Sequence, residues 1–292
     1  MGSAGADTYL FGRGDGHDLI YDNAEGGVQR DSVRFSGLTP ADIRVTADYH
    51  GDLVFTIVDT GETLRVPALS FGWYQNGVGR YLFDDGTLWS HDDALRATVA
   101  PSTENDDVIH GSSVGDTING QAGNDTLIGN GGNDVIDGGA GNDLLMGSAG
   151  NDTYLFGRGD GQETLIDGDY TAGNSDTLRL KPGVALADVR LVREGDDLIL
   201  AVRGADDRIT LKQYFEENWR GSRPFAIERI AFADGTVLSF AEVQATLFAG
   251  SAEAETITGT GSADHLCGQG GNDTLIAEGG NDLLEGGEGD DL

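Results

Sequence analysis

Basic residues are scarce: 18 Lys and Arg stand against 50 Asp and Glu, a net charge of −32 over 292 residues. Phosphate-backbone binding runs on Lys and Arg, so nucleic acid is excluded as a partner and anionic membrane surfaces are poor ones. The single cysteine, Cys267, excludes an intramolecular disulfide and a thiolate zinc cluster. The histidines, His17, His50, His91, His110 and His265, are scattered without an i,i+4 pair or an H-E-x-x-H run, so no zinc hydrolase centre is visible. No apolar run approaches the roughly 20 residues of a membrane span. The N-terminus, Met1-Gly2-Ser3-Ala4-Gly5, lacks the basic-then-apolar pattern of a signal peptide. Proline is also rare, at 5 residues.

Glycine, in contrast, is abundant at 47 residues. With so little proline this argues against collagen and for many tight turns with positive φ. So large a carboxylate excess repels itself in a compact state unless something positive neutralises it. A divalent cation is the natural candidate. The length suggests two domains on a prior of roughly 150 residues each.

Self-similarity appears at two scales. GSAGADTYLFGRGDG from Gly2 recurs as GSAGNDTYLFGRGDG from Gly147, an offset of 145 residues, and each copy leads through alternating apolar segments to RYLFDDGTLWS or RIAFADGTVLS. One fold is therefore expected twice. Between and after the copies runs a period of nine. With the aspartate counted as position six, it returns at Asp107, Asp116, Asp125, Asp134, Asp143 and Asp152, and a large apolar or aromatic residue follows two places on, at Ile109, Ile118, Leu127, Ile136, Leu145 and Tyr154. A second block places Glu255, Asp264, Asp273, Asp282 and Asp291 at position six, with Ile257, Leu266, Leu275 and Leu284 at position eight.

This GGxGxDxUx pattern resembles the RTX nonapeptide of secreted toxins, lipases, proteases and adhesins, and the longer segments resemble the haemolysin-type calcium-binding-related domain. The resemblance implies an all-β chain in which parallel β-roll blocks alternate with small β-rich domains. The expected boundaries are 1–16 for the end of a roll and its cap turn, 17–103 for the first β-rich domain and 104–155 for roll block 1. The second β-rich domain then runs over 156–250 and roll block 2 over 251–292. It also implies two nonapeptides per right-handed coil, so aspartates eighteen apart should stack across a shared ion: Asp116 with Asp134, Asp125 with Asp143, Asp134 with Asp152, Asp264 with Asp282, Asp273 with Asp291.

The chemistry of the turns points the same way. Glycine lets the backbone expose carbonyl oxygens, which hard cations prefer, and aspartate supplies the charge. All-oxygen ligands in a cage of several protein groups favour Ca²⁺ over zinc, copper or Mg²⁺. Several calcium ions are expected, on Asp107, Asp116, Asp125, Asp134, Asp143, Asp152, Asp264, Asp273, Asp282 and Asp291. Gly120, Gly123, Gly129, Gly132, Gly138, Gly141, Gly147, Gly150, Gly268 and Gly271 belong to the same sites. One inward side chain per repeat contributes about 1.5–3 kcal/mol, whereas ordering each residue costs about 1–2 kcal/mol. Metal binding should then be part of the folding free energy. Asp15 and Asp160, in the duplicated FGRGDG turns, are candidates for one further ligand at a roll end.

Beyond the rolls, alternation predicts strands over 188–192, 197–202, 208–211 and 227–232, and short helices over 240–246 and 91–97. The β-rich domains are expected to cover the roll ends, hiding Tyr154, Leu155 and Phe156, and in the first copy Tyr9, Leu10 and Phe11. Trp73, Trp219, Tyr214 and Phe215 read as packing. GSSVG at 111–115 fits the G-x-S-x-G nucleophile pattern with Ser113, but that motif needs a strand before it and a helix after it, and here it occupies a repeat turn. Arg13-Gly14-Asp15 and Arg158-Gly159-Asp160 read as structural turns. The expectation is a noncatalytic, calcium-dependent module of a secreted bacterial protein. The family's export route, type I secretion, is a possible partner, and no receptor is specified. Alternatives are the repeat tail of a secreted lipase, protease, epimerase or pore former, or an adhesin segment.

Overall fold

A computed structural model describes residues 6–20, 31–47, 52–67, 78–169, 173–216, 225, 227–261 and 263–292. Trp73, Trp219 and His50 lie outside the described residues. The chain divides into two compact units, Met1–Ala100 with Gly111–Val114, and Pro101–His110 with Gly115–Leu292.

In the first unit, β1 (Thr8–Gly12), β2 (His17–Leu19), β3 (Asp31–Ser36), β4 (Ile43–Ala47), β5 (Leu53–Ile57), β6 (Thr63–Val66), β7 (Val78–Phe83) and β8 (Leu88–Ser90) precede helix α1 (His91–Arg96). They form two sheets, ordered β1-β3-β7-β8 and β2-β6-β5-β4. Period-two alternation sends Val33 and Phe35 of β3 inward and leaves Arg34 and Ser36 exposed. Phe35 sits 4.9 Å from the Phe83 ring, 5.3 Å from Phe55 and 6.3 Å from Phe11, an aromatic core that supplies this unit's own hydrophobic stabilisation. Ser90 begins the helix by accepting from the N–H of Asp93, whose carboxylate accepts from Ser90 N–H at 2.8 Å.

The second unit opens with the nonapeptides: β9 (Val108–His110), β10 (Thr117–Asn119), β11 (Thr126–Gly131), β12 (Val135–Asp137), β13 (Leu144–Ala149) and β14 (Thr153–Phe156). Within the block, strands eighteen residues apart pair in parallel, as Leu127 with Leu145 and Ile136 with Tyr154. Successive strands therefore alternate between two sheets, a parallel β-roll with two nonapeptides per coil. Ile109, Ile118, Leu127, Ile136, Leu145 and Tyr154 are all buried, because side chains alternate along a strand and these point between the sheets. Leu145→Ala should cost about 2–5 kcal/mol, measured by denaturant unfolding in calcium, since the site is fully closed.

Both sheets continue past the repeats without a break. β15 (Gln162–Leu165), β16 (Thr177–Leu180), β17 (Val189–Glu194), β18 (Asp197–Val202), β19 (Arg208–Leu211), β20 (Arg229–Ala231) and β21 (Val237–Ser239) lead to helix α2 (Phe240–Phe248). The sheets run β10-β12-β14-β16-β20-β21 and β17-β18-β19-β15-β13-β11-β9. The order β14-β16-β20-β21 repeats β1-β3-β7-β8, and β15-β19-β18-β17 repeats β2-β6-β5-β4, so the duplicated sequence is a duplicated topology. The roll end is extended strand by strand rather than covered by a separate body. Tyr154 and Phe156 are buried there while Leu155 is half-buried, and in the first copy Phe11 is buried but Leu10 is 69 % exposed. The run of three apolar residues cannot all face inward in a strand.

The strands expected at 197–202 and 208–211 lie at those residues. The one expected from 188 begins a residue later, because Asp188 closes a 3₁₀ turn by accepting from Ala185 N–H at 3.0 Å. The strand expected over 227–232 is shorter, at Arg229–Ala231, and both helices are present, α2 extending to Phe248. A second, shorter set of coils follows: β22 (Thr256–Thr258) pairs with β24 (Thr274–Ile276), and β23 (His265–Cys267) with β25 (Leu283–Glu285). Phe248 of α2 packs with Ile257 and Leu266 to close one end. At the other end Leu284 is 42 % exposed.

Candidate metal centre in the nonapeptide turns

Position six of each turn makes a rung of a ladder. One carboxylate oxygen, Oδ1, accepts the backbone N–H of the position-six residue one coil back. Asp107 N–H donates to Asp125 at 2.8 Å, Asp116 to Asp134 at 2.7 Å, Asp125 to Asp143 at 2.7 Å and Asp134 to Asp152 at 2.8 Å. The second block repeats this from Glu255 to Asp273 at 2.9 Å, Asp264 to Asp282 at 2.9 Å and Asp273 to Asp291 at 3.0 Å. Aspartates eighteen apart are thus adjacent, joined through backbone and one oxygen each.

The other oxygen, Oδ2, turns toward position one of its own repeat. A Cβ placed on Gly120 would fall on Oδ2 of Asp125 and on the carbonyl of Gly138, and a Cβ on Gly129 on Oδ2 of Asp134 and, at 2.8 Å, on the carbonyl of Gly147. Gly268 stands likewise against Asp273 and the Gly286 carbonyl. Each such glycine leaves a cradle in which a carboxylate oxygen and a carbonyl from the next coil converge. Position four is a glycine for another reason: Gly150 has φ +142° and its Cβ would strike the carbonyl of Gly132. Gly150→Ala should therefore lose at least about 1–3 kcal/mol through backbone strain alone, read as a lower thermal midpoint in calcium.

Oδ2 of Asp125, Asp134, Asp143, Asp152 and Asp273 is buried without a hydrogen-bond partner. A buried carboxylate oxygen lacking a donor is costly, and the carboxyl groups record it. Burial first, then the charges of Asp152 and Asp116, push Asp134 up to about 6, against the lowering effect of the Asp116 N–H. Asp125, Asp143 and Asp152 are raised as well, burial again leading. A cation coordinated by Oδ2 and the neighbouring carbonyl would remove that penalty. Among the described residues no three His, Cys, Asp or Glu side chains converge at metal-holding spacing, so backbone oxygens must supply most of any coordination shell.

The turns fall into two kinds. In some, position two is left-handed, with φ of +75° at Gln121, +72° at Asn130, +74° at Ser148 and +66° at Gln269, and Oδ2 of Asp125, Asp134, Asp152 and Asp273 in those repeats has no donor. In others, position two donates to the acid directly. Thr103 N–H reaches Asp107 at 2.7 Å, Ser251 N–H reaches Glu255 at 2.7 Å, and the Thr260 hydroxyl reaches Asp264 at 2.8 Å. Asp107 and Asp264, expected as ligands, thus have their second oxygen engaged by the turn itself. Asp291, also expected, is exposed.

Asp160, the candidate for an extra ligand, has a resident cation instead. Lys181 Nζ lies 2.9 Å from Asp160 and 2.6 Å from Asp137, and Gly157 N–H donates to Asp160 at 2.7 Å. Its counterpart Asp15 accepts from Gly12 N–H at 2.8 Å, so FGRGDG is a self-closing turn in both copies. Ser113 is followed by β10 rather than a helix, the wrong context for a nucleophile elbow. Tyr214 and Phe215 are core, with Tyr214 5.3 Å from the Phe240 ring and Arg193 stacked 4.7 Å over Phe215.

Two acids outside the nonapeptide period share the features of the turns. Glu163 and Asp167 are each 2 % exposed, and each faces another acid, Glu163 against Asp143 and Asp167 against Asp176. Burial and then Asp143 push Glu163 up to about 10, and burial with Asp176 pushes Asp167 up to about 9. In sequence, the inward place of Glu163 in QETL was the available signal: it stands two residues before Leu165, on the same strand face.

Comparison with known proteins places the repeats. The RTX calcium-binding nonapeptide repeat (4 copies) matches at residues 102–136, 110–145, 128–163, 250–284 and 258–292, and the haemolysin-type calcium binding protein related domain at 197–242, in the second of the duplicated domains. Among curated proteins the chain is similar to the iron-regulated protein FrpA of Neisseria meningitidis serogroup C, 34 % identical over 91 residues, which are 31 % of this chain and 8 % of that protein. The chain thus spans under a tenth of that relative's length. Among solved structures it is similar to the extracellular lipase LipA of Serratia marcescens at 18 % identity and TM-score 0.32, over 77 % of this chain and 37 % of that one, a likeness too loose to bear on fold or function.

Proposed function

We propose that this chain, which carries RTX calcium-binding nonapeptide repeats and a haemolysin-type calcium binding protein related domain, is a noncatalytic module whose rolls fold on calcium. The observation that carries the reading is the row of buried Oδ2 oxygens at Asp125, Asp134, Asp143, Asp152 and Asp273, each without a donor and each beside a position-one glycine. These left-handed turns are the ligands; the turns closed by Thr103, Ser251 and Thr260 are structural. RTX repeats belong to secreted proteins, and the reading adds that the module leaves a bacterial cell unfolded, through type I secretion, and folds where calcium is plentiful. Extracellular calcium modules bind at about 10⁻⁴–10⁻³ M.

Equilibrium dialysis against calcium tests this. The wild-type chain should take up several ions in that range and exclude magnesium, and Asp107→Asn should leave the stoichiometry unchanged. A chain that binds no calcium would end the reading. A loss of one ion in Asp107→Asn would end the division between the two kinds of turn.

A further inference from the structure

We propose that Glu163 and Asp143 hold one more calcium ion, beside Gly138, at the place where the nonapeptide pattern has already ended. Inside the roll the cradle at a position-one glycine is formed by Oδ2 of the same repeat and by the carbonyl of the glycine one coil on, as at Gly120 with Asp125 and Gly138. At Gly138 no such carbonyl follows, because the chain has left the repeat for FGRGDG. In its place stands Glu163: a Cβ on Gly138 would meet Oδ2 of Asp143 and, at 2.7 Å, Oε2 of Glu163. Two carboxyl oxygens from different segments therefore converge on the point where, one coil earlier, a carboxylate and a carbonyl do.

Register holds Glu163 there. β15 pairs in parallel with β13, Leu144 opposite Thr164 and Leu145 opposite Leu165, so Glu163 lies beside the Asp143 turn, on the inward face of a strand whose next inward residue is Leu165. Glu163 is 2 % exposed, and the group its carboxyl faces is another acid, Asp143. The nearby cation is committed elsewhere, since Lys181 pairs with Asp137 and Asp160. An oxygen-only site with two carboxyl groups suits a hard divalent ion, where an inner turn offers one. The last coil would thereby be tied to the domain that follows.

The inference rests on the calcium reading of the turns, and one comparison separates the two. Calcium bound by the full chain and by its Glu163→Gln variant is counted by equilibrium dialysis at saturating calcium, with far-UV circular dichroism on both. A variant with an unchanged spectrum that binds one ion fewer supports the site. Equal, non-zero stoichiometry overturns it and leaves the nonapeptide sites standing, and no calcium on the wild type overturns both. Should the variant fail to fold, anomalous diffraction from the calcium-loaded wild type decides. An ion at roughly 2.3–2.6 Å from a Glu163 oxygen supports the site, and a direct contact of the two carboxyl groups with no ion between them overturns it.

Discussion

Chelating calcium at neutral pH should melt both nonapeptide blocks while the first unit keeps its structure. Each repeat offers one short strand and one large inward side chain, such as Leu127 or Ile136. That burial contributes about 1.5–3 kcal/mol against an ordering cost of about 1–2 kcal/mol for every residue of the repeat. Without a cation the turns must also bury charges, since Asp134, at about 6, is mostly ionised at pH 7. The first unit has Phe11, Phe35, Phe55, Tyr81 and Phe83 in one core. Hydrogen exchange reads the difference residue by residue. The amides of Val135 and Thr153, bonded to the carbonyls of Asp116 and Asp134, should lose protection in chelator, whereas Ile57, bonded to Glu62, should keep it. Uniform protection across the chain would contradict the expectation.

The pH dependence has a definite sign. A carboxyl group whose pKa is higher folded than unfolded binds more protons when folded, so it destabilises the fold as pH rises from about 4 to about 6. The chain in chelator should therefore gain roll structure on acidification through that window. With calcium the trend reverses, because protons compete with the ion for the same oxygens, and half-saturation should move to higher calcium as pH falls. Circular dichroism at pH 4.5 and pH 7, each with and without calcium, gives all four states.

The second large effect is expected from Asp134→Asn. The amide oxygen still accepts from Asp116 N–H, so the rung at 2.7 Å survives, but the charge beside Gly129 is gone. In calcium the variant should need about tenfold more ion for half-folding, about 1.4 kcal/mol. In chelator the order inverts: the variant no longer buries an ionised oxygen without a donor, and it should be more stable than the wild type. Opposite signs in the two conditions separate a metal ligand from a packing residue, for which both changes would be losses.

Much of this was legible because the nonapeptide writes its structure at fixed offsets. Asp125, Asp134 and Asp143 return every nine residues, and the inward residues two places later are those found buried, from Ile109 to Tyr154. The duplication at GSAGxDTYLFGRGDG was equally plain, and it became the shared order β1-β3-β7-β8 and β14-β16-β20-β21. What sequence spacing did not carry was the second carboxylate oxygen. Whether Oδ2 is engaged depends on the backbone at position two: Ser251 donates to Glu255, while Ser148, the same residue type at φ +74°, leaves Asp152 without a donor. Nor did spacing reveal Lys181, which crosses from β16's far end to Asp137 and Asp160, or Glu163, whose partner Asp143 is fixed by strand register. These are long-range contacts, and periodicity reports only on local ones.

Far-UV circular dichroism during a calcium titration from chelator, with magnesium as the control, tests the central claim most directly. The account predicts a cooperative gain of β signal with calcium alone, rising from the part contributed by the first unit. A spectrum already complete in chelator, and unchanged as calcium is added, would contradict it and make the rolls a metal-free solenoid.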